Sequence, residues 1–171
     1  MKTGLKANYM THETTLYDAY TGMSPAEKSA VVNFLCEHNE NTNRQGAKEA
    51  VEYAIKHKPS FGGFILTVHE GRQMIAAIVV NRTGMEGYNA KNLFVYVTFH
   101  RDYRNDETAI RDLMNKAIAH AEGDVAFHVE PGNPALKFYK KLGFKAQYLE
   151  LRFTKQEQPA AIAWTNTPQQ H

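Results

Sequence analysis

Residues 130–144 read EPGNPALKFYKKLGF. A Gly-Asn-Pro turn runs into one short amphipathic helix that carries Tyr139 and stops at Gly143. A tyrosine placed so has two readings, an amphipathic core residue or a phenol aimed at a chemical site. Asn133 also has two, contact with a ligand or closure of the turn and capping of the helix. Upstream, Arg104 and Asn105 stand just before a helix that opens near Asp106. The start of a helix offers unpaired N–H groups and the positive end of its dipole, which suit a diphosphate, and an adjacent arginine pairs with phosphate oxygens. Asp106 and Glu107 admit a plainer role, since carboxylates favour a helix N-terminus electrostatically. The groups near strand ends able to accept a proton are His100, His128 and Glu130, each also suited to a structural role. Cys36 falls inside a helix and reads as a core or surface thiol.

Other chemistries lack their residues. There is no phosphate-cradling Walker loop, no GxGxxG, no HExxH, no GxSxG and no Cys/His set at zinc spacing. His12, His38, His57, His69 and His120 are scattered, and no metal is expected.

The elements that must position these groups follow from pattern. Ser24-Pro25-Ala26-Glu27 is a capping box with proline at the first helical position, and Ala30, Val31, Phe34 and Leu35 continue at helical spacing. A second helix is predicted from about Gly46 to His57, ended by Pro59 and Gly62-Gly63. Two β-rich runs flank Glu70-Gly71-Arg72 as a hairpin. LFVYVTF at 93–99 is almost continuously apolar, the mark of a central strand covered on both faces. Ile110, Leu113, Met114, Ala117, Ile118 and Ala121 give a helical stripe between Asp106 and Ala121. A strand is predicted at 125–129, an alternating one at 145–153, and one more near Thr15 to Tyr20. The strand–helix–strand unit of 93–129 should be parallel, and the hairpin-linked strands antiparallel. The expected fold is α/β (α+β): a mixed, mostly antiparallel sheet with helices on both faces.

The chain's 171 residues predict one domain over 1–153, followed by a polar tail at 154–171 in which Trp164 is the odd apolar member. A chain of this length buries roughly 70% of its unfolded surface. A net charge of +2 with no basic stripe argues against a nucleic-acid or membrane-surface binder. One cysteine excludes an internal disulfide. With no apolar stretch of signal-peptide or membrane-spanning type, a cytoplasmic location is expected.

The order of elements, with two motifs, resembles the GNAT superfamily of acyl-CoA-dependent N-acetyltransferases. The first motif is Val129, Asn133-Pro134-Ala135, Phe138-Tyr139 and Gly143-Phe144; the second runs from Phe99 through Tyr103 and Arg104 to Ala109. The resemblance spans roughly residues 15–153. It implies acetyl-CoA as cosubstrate, a primary amine of a small molecule or peptide as acceptor, and a possible homodimer. It assigns the thiolate's proton donor to Tyr139. It gives the cofactor's arm to the backbone of Val97, Thr98 and Phe99, and its phosphates to Arg104, Asn105 and Ala109, with Asn133 nearby. The chain departs from the family at Glu107, where glycine is usual. That departure raises an alternative, a GNAT-like binding or assembly module whose cofactor site is degraded.

Overall fold

The computed structural model describes residues 12–56 and 60–155. The tail from 156 onward, with Trp164, and the helix-ending His57 and Pro59 lie outside the described residues. Five strands form one sheet in the order β1-β2-β3-β4-β5: β1 (His12–Asp18), β2 (Gly63–Glu70), β3 (Gln73–Arg82), β4 (Asn92–Phe99) and β5 (Val125–Phe127). The first three pairings are antiparallel and β4–β5 is parallel. The expected mixed, mostly antiparallel sheet is present.

Helices cover both faces. On one, α1 (Pro25–His38) and α2 (Arg44–Ile55) bury Val31, Leu35, Ala47 and Val51 against Ile65, Ala77 and Val79 of the sheet. On the other, α3 (Glu107–His120) and α4 (Leu136–Lys141) bury Ile110, Leu113, Phe138 and Tyr139 against Phe64, Ile78, Val80 and Phe94. Residues alternating along β2 and β3 thus feed two cores, the outcome of period-2 side chains in a sheet covered twice. Lys28 joins Glu52 at 2.8 Å and ties α1 to α2.

Local chemistry sets the ends of these elements. At α1 the capping box is complete, with Ser24 Oγ accepting from Glu27 N–H while the Glu27 carboxylate accepts from Ser24 N–H. α2 begins at Arg44 rather than Gly46, because Asn43 Oδ1 accepts from the N–H groups of Gln45 and Gly46 and caps the helix earlier. β1 runs from His12 to Asp18, not on to Tyr20. Asp18 Oδ1 accepts from the backbone of Tyr20 and Thr21 at 2.8 Å each and turns the chain. Gly71 takes a left-handed φ of 59° in the hairpin turn. Buried Asn92 donates to the carbonyls of Glu122 and Asp124, which fastens the start of β4 to the turn before β5.

Two expected strands differ. β5 ends at Phe127 instead of residue 129. The alternating run at 145–153 forms no strand. Its Tyr148, Leu149, Leu151 and Phe153 are 87%, 80%, 88% and 88% exposed. Alternation makes a strand only where a neighbouring edge accepts its hydrogen bonds, and the three residues of β5 offer too short an edge. None of the described helices is long and apolar enough to cross a membrane.

His38, at the end of α1, is a buried histidine. Its Nδ1 has no partner, and its ring lies 4.3 Å from that of His100 and 4.7 Å from that of Phe34. Burial, and then the neighbouring His100, hold its pKa below the ordinary histidine value. The folded state therefore prefers the neutral ring, whereas the unfolded chain takes up the proton below about pH 6.5. This contribution is fully present above that pH and is lost as pH falls toward and through the depressed folded value. His38→Leu is expected to flatten the fall of unfolding midpoint between about pH 7.5 and 5 relative to the parent chain; parallel pH profiles of the two would contradict it. Gly63 opens β2 rather than merely ending α2. A Cβ there would lie 1.9 Å from the Val80 carbonyl oxygen. Gly63→Ala is expected to destabilise by about 1–3 kcal/mol in a urea titration.

Candidate functional site

The site is built by β4 and β5 parting. Asn92, Leu93 and Phe94 pair with Val125, Ala126 and Phe127, after which β5 stops and β4 continues to Phe99. Beyond Phe94 the outer edge of β4 has no strand partner among the described residues. A β-bulge falls at the same point: Val80 faces Phe94 and Val79 faces Tyr96, leaving Val95 as the extra residue. Consequently Val95 and Tyr96 both pack toward the α1–α2 layer, and Val97 returns to the α3–α4 layer. The crevice lies at the carboxyl ends of parallel strands, where open α/β sheets bind ligands.

Tyr139 packs against Phe127, the last residue of β5. α4 buries it to 8% exposure, with its ring edge-on to Phe127 at 4.8 Å and 89°. Phe144, past the turn at Gly143, lies 5.0 Å from Phe127 and closes an aromatic group around the end of β5. Burial pushes the phenol's pKa up. Its hydroxyl makes no hydrogen bond among the described residues. Such a group keeps its proton through the alkaline range and releases it only to a strong acceptor brought close. Val97, Phe99 and Tyr139 all belong to the apolar core on the α3–α4 face of the sheet. Thr98 faces the other layer, buried, with its hydroxyl unpartnered.

The phosphate end of the expected site is different. Asp106 caps α3, its Oδ1 accepting from Thr108 N–H and Ala109 N–H at 3.0 Å each. Glu107 N–H donates to the Asn105 carbonyl at 3.1 Å. Arg104 directs its guanidinium to the carbonyl of His38. Asp102, Asn105 and Glu107 are exposed around the same turn. The Thr108 and Ala109 amides are already satisfied by a carboxylate and the Glu107 amide by a carbonyl, and this end does not fit a diphosphate. The sequence placed Asp106 and Glu107 at the helix N-terminus for electrostatic reasons; Asp106 is in addition its side-chain cap.

Asn133 closes an Asx turn, its Oδ1 accepting from Ala135 N–H at 2.9 Å. Of the three candidate bases, His100 has both ring nitrogens engaged. Its Nδ1 accepts from Asp102 N–H at 3.2 Å, and its Nε2 lies 3.0 Å from the Gln73 amide. His128 is exposed and pairs with Glu150 at 3.5 Å; Glu130 is exposed in the following turn. None of them lines up with Tyr139 as an acid–base pair. A cavity of about 200 Å³ lies beside the start of α3, lined by His12, Ile75, Phe99, Tyr103, Asp106 and Ala109 among others. Beside it the Tyr103 hydroxyl donates to the Glu70 carboxylate. The bulge at Val95 is the element of the site that sequence pattern did not announce.

No family model and no curated protein matches the chain. Solved structures do resemble it. A transcriptional regulator from Bacillus halodurans superposes with a TM-score of 0.61 at 17% identity, over 84% of this chain and 100% of its own. A ribosomal-protein-alanine N-acetyltransferase from Brucella melitensis biovar Abortus gives 0.55 at 10% identity, over 85% and 100%. An aminoglycoside acetyltransferase from an uncultured soil metagenomic sample gives 0.56 at 13% identity, over 86% and 100%. Similar structures are mostly acetyltransferases. The chain has the GNAT-like acetyltransferase fold.

Proposed function

We propose that this chain is an N-acetyltransferase that moves an acetyl group from a thioester donor, acetyl-CoA being the donor its resemblance implies, to a primary amine of a small molecule or peptide. The observation that carries the proposal is Tyr139, buried against Phe127 where β4 and β5 separate. The unpaired edge of β4 offers backbone N–H groups to polarise the thioester carbonyl, an oxyanion-type effect. The amine nitrogen forms a bond to the carbonyl carbon, the carbon–sulfur bond breaks, and Tyr139 gives its proton to the departing sulfur. The acceptor's ammonium loses one proton to water before attack, and the proton that the new amide nitrogen sheds afterwards restores the Tyr139 phenol. A phenol held at the sulfur supplies this proton as the carbon–sulfur bond breaks, the moment at which a positioned acid lowers the barrier.

A second reading, a GNAT-like binding or assembly module without turnover, draws support from the self-capped start of α3. The two are separated by one variant. With acetyl-CoA and a panel of amines, release of free thiol above background is expected. Tyr139→Phe is expected to lower kcat by about 10²-fold or more while leaving the donor KM unchanged. Complete absence of thiol release from the parent chain would favour the binding module. Because burial raises the pKa of Tyr139, the parent's kcat should hold through alkaline pH and fall only above about 10, the ordinary tyrosine value. A drop in kcat near neutrality on the alkaline side would show that Tyr139 is not the acid.

A further inference from the structure

We infer that the donor is recognised through an acylated pantetheine arm and not through a nucleotide diphosphate. The inference rests on the acetyltransferase proposal and names the donor class for the same crevice. The arm has a place to lie: β4 from Val95 to Phe99 has no strand partner on its outer edge among the described residues, and an amide-bearing arm can add to that edge as a strand would. The diphosphate does not. Helix starts bind phosphates because their N–H groups are unsatisfied, and Asp106 has satisfied those of Thr108 and Ala109 with an ionised oxygen.

Opening this slot requires several losses together. Asp106 must swing away, which breaks two charge-assisted hydrogen bonds. Its carboxylate then stays close to a doubly charged ligand, with Glu107 and Asp102 exposed on the same turn. Arg104 must abandon the His38 carbonyl to offer compensation. Arg101, exposed beside them, is followed directly by the exposed Asp102. An acyl-pantetheine that carries no nucleotide meets none of these obstacles, whether it is free in solution or displayed on a carrier protein.

The test compares kcat/KM for acetyl-CoA, S-acetylpantetheine and an acetylated phosphopantetheine carrier protein, with one amine acceptor in excess. Expected is that S-acetylpantetheine or the carrier-bound arm performs within about tenfold of acetyl-CoA or better. Whichever of the two is preferred identifies the source of the arm. An advantage of acetyl-CoA over both by more than about tenfold overturns the inference and leaves the acetyltransferase proposal standing. Absence of thiol release from all three donors overturns the proposal itself. Calorimetry gives a readout independent of turnover. Adenosine bisphosphate, the nucleotide part alone, should give no binding heat at about millimolar concentration, and a Kd tighter than about 100 µM would overturn the inference. In an Asp106→Gly, Glu107→Gly double variant, acetyl-CoA should gain at least about tenfold over S-acetylpantetheine relative to the parent. No gain in a variant that still melts cooperatively would contradict the role given to the cap.

Discussion

Everything that makes a site here depends on β4 holding β5 for three residues and then letting it go. The pairing is short because β5 itself is short. Asn92 makes even this much possible, since its buried side chain grips the carbonyls of Glu122 and Asp124 and brings β5 into register. Past Phe94 the bulge at Val95 adds twist to β4 and reverses which face each later side chain occupies. The result is a strand secured on one edge by β3 as far as Phe99 and, among the described residues, without a strand partner on the other from Val95 onward. Unpaired strand edges are usually blunted because they invite other chains. Here the free edge sits in a crevice, so it invites an extended ligand.

The same parting determines what Tyr139 can be. α4 has six residues and no side-chain cap, and a helix so short draws its stability from packing rather than propensity. Its packing partners are Phe127 on β5, Phe144 after the turn, and Arg111 of α3, whose guanidinium lies 5.3 Å from the Phe138 ring. Fixing the helix therefore fixes the phenol at the end of β5. The apolar surroundings that hold the ring also disfavour its anion. A tyrosine activated as a base would need a neighbouring cation or donor; none bonds its hydroxyl among the described residues. The position suits a group that begins and ends its cycle protonated.

Much of the fold could be read from pattern because its strongest signals are local. The capping box at Ser24, the stripe of α3 and the apolar run of β4 each report interactions within one element, and each formed where expected. The failures share a cause. Residues 145–153 alternate as a strand should, yet a strand is a relation between two chains of backbone, and β5 does not extend far enough to accept one. The bulge at Val95 is likewise a mismatch between two strands and leaves no mark in either alone. In the site, the short helix that carries Tyr139 was legible from its motif, whereas the contact of Tyr139 with Phe127 joins two segments and is recorded in neither alone. The commitment of Asn133 to an Asx turn had been one of two open readings. Which way the Arg104 guanidinium points was not legible, because its acceptor, the carbonyl of His38, lies 66 residues away.

The cap at Asp106 is not demanded by the fold. α3 buries Ile110, Leu113, Met114 and Ala117, and a large apolar side chain contributes about 1.5–3 kcal/mol on full burial. A helix cap contributes about 1 kcal/mol, and glycine in its place loses only a few tenths. Packing alone thus holds α3 in place, and the sheet below it leaves no doubt about its direction. A small residue at 106 and a glycine at 107 would have cost little stability and left the helix start open to an anion. The chain instead sets two carboxylates there and turns its arginine onto a carbonyl. Stability gains almost nothing from that arrangement that it could not have obtained otherwise. Its principal physical effect is on charge, making the end of the crevice hostile to a diphosphate while the strand edge and Tyr139 behind it stay unaltered.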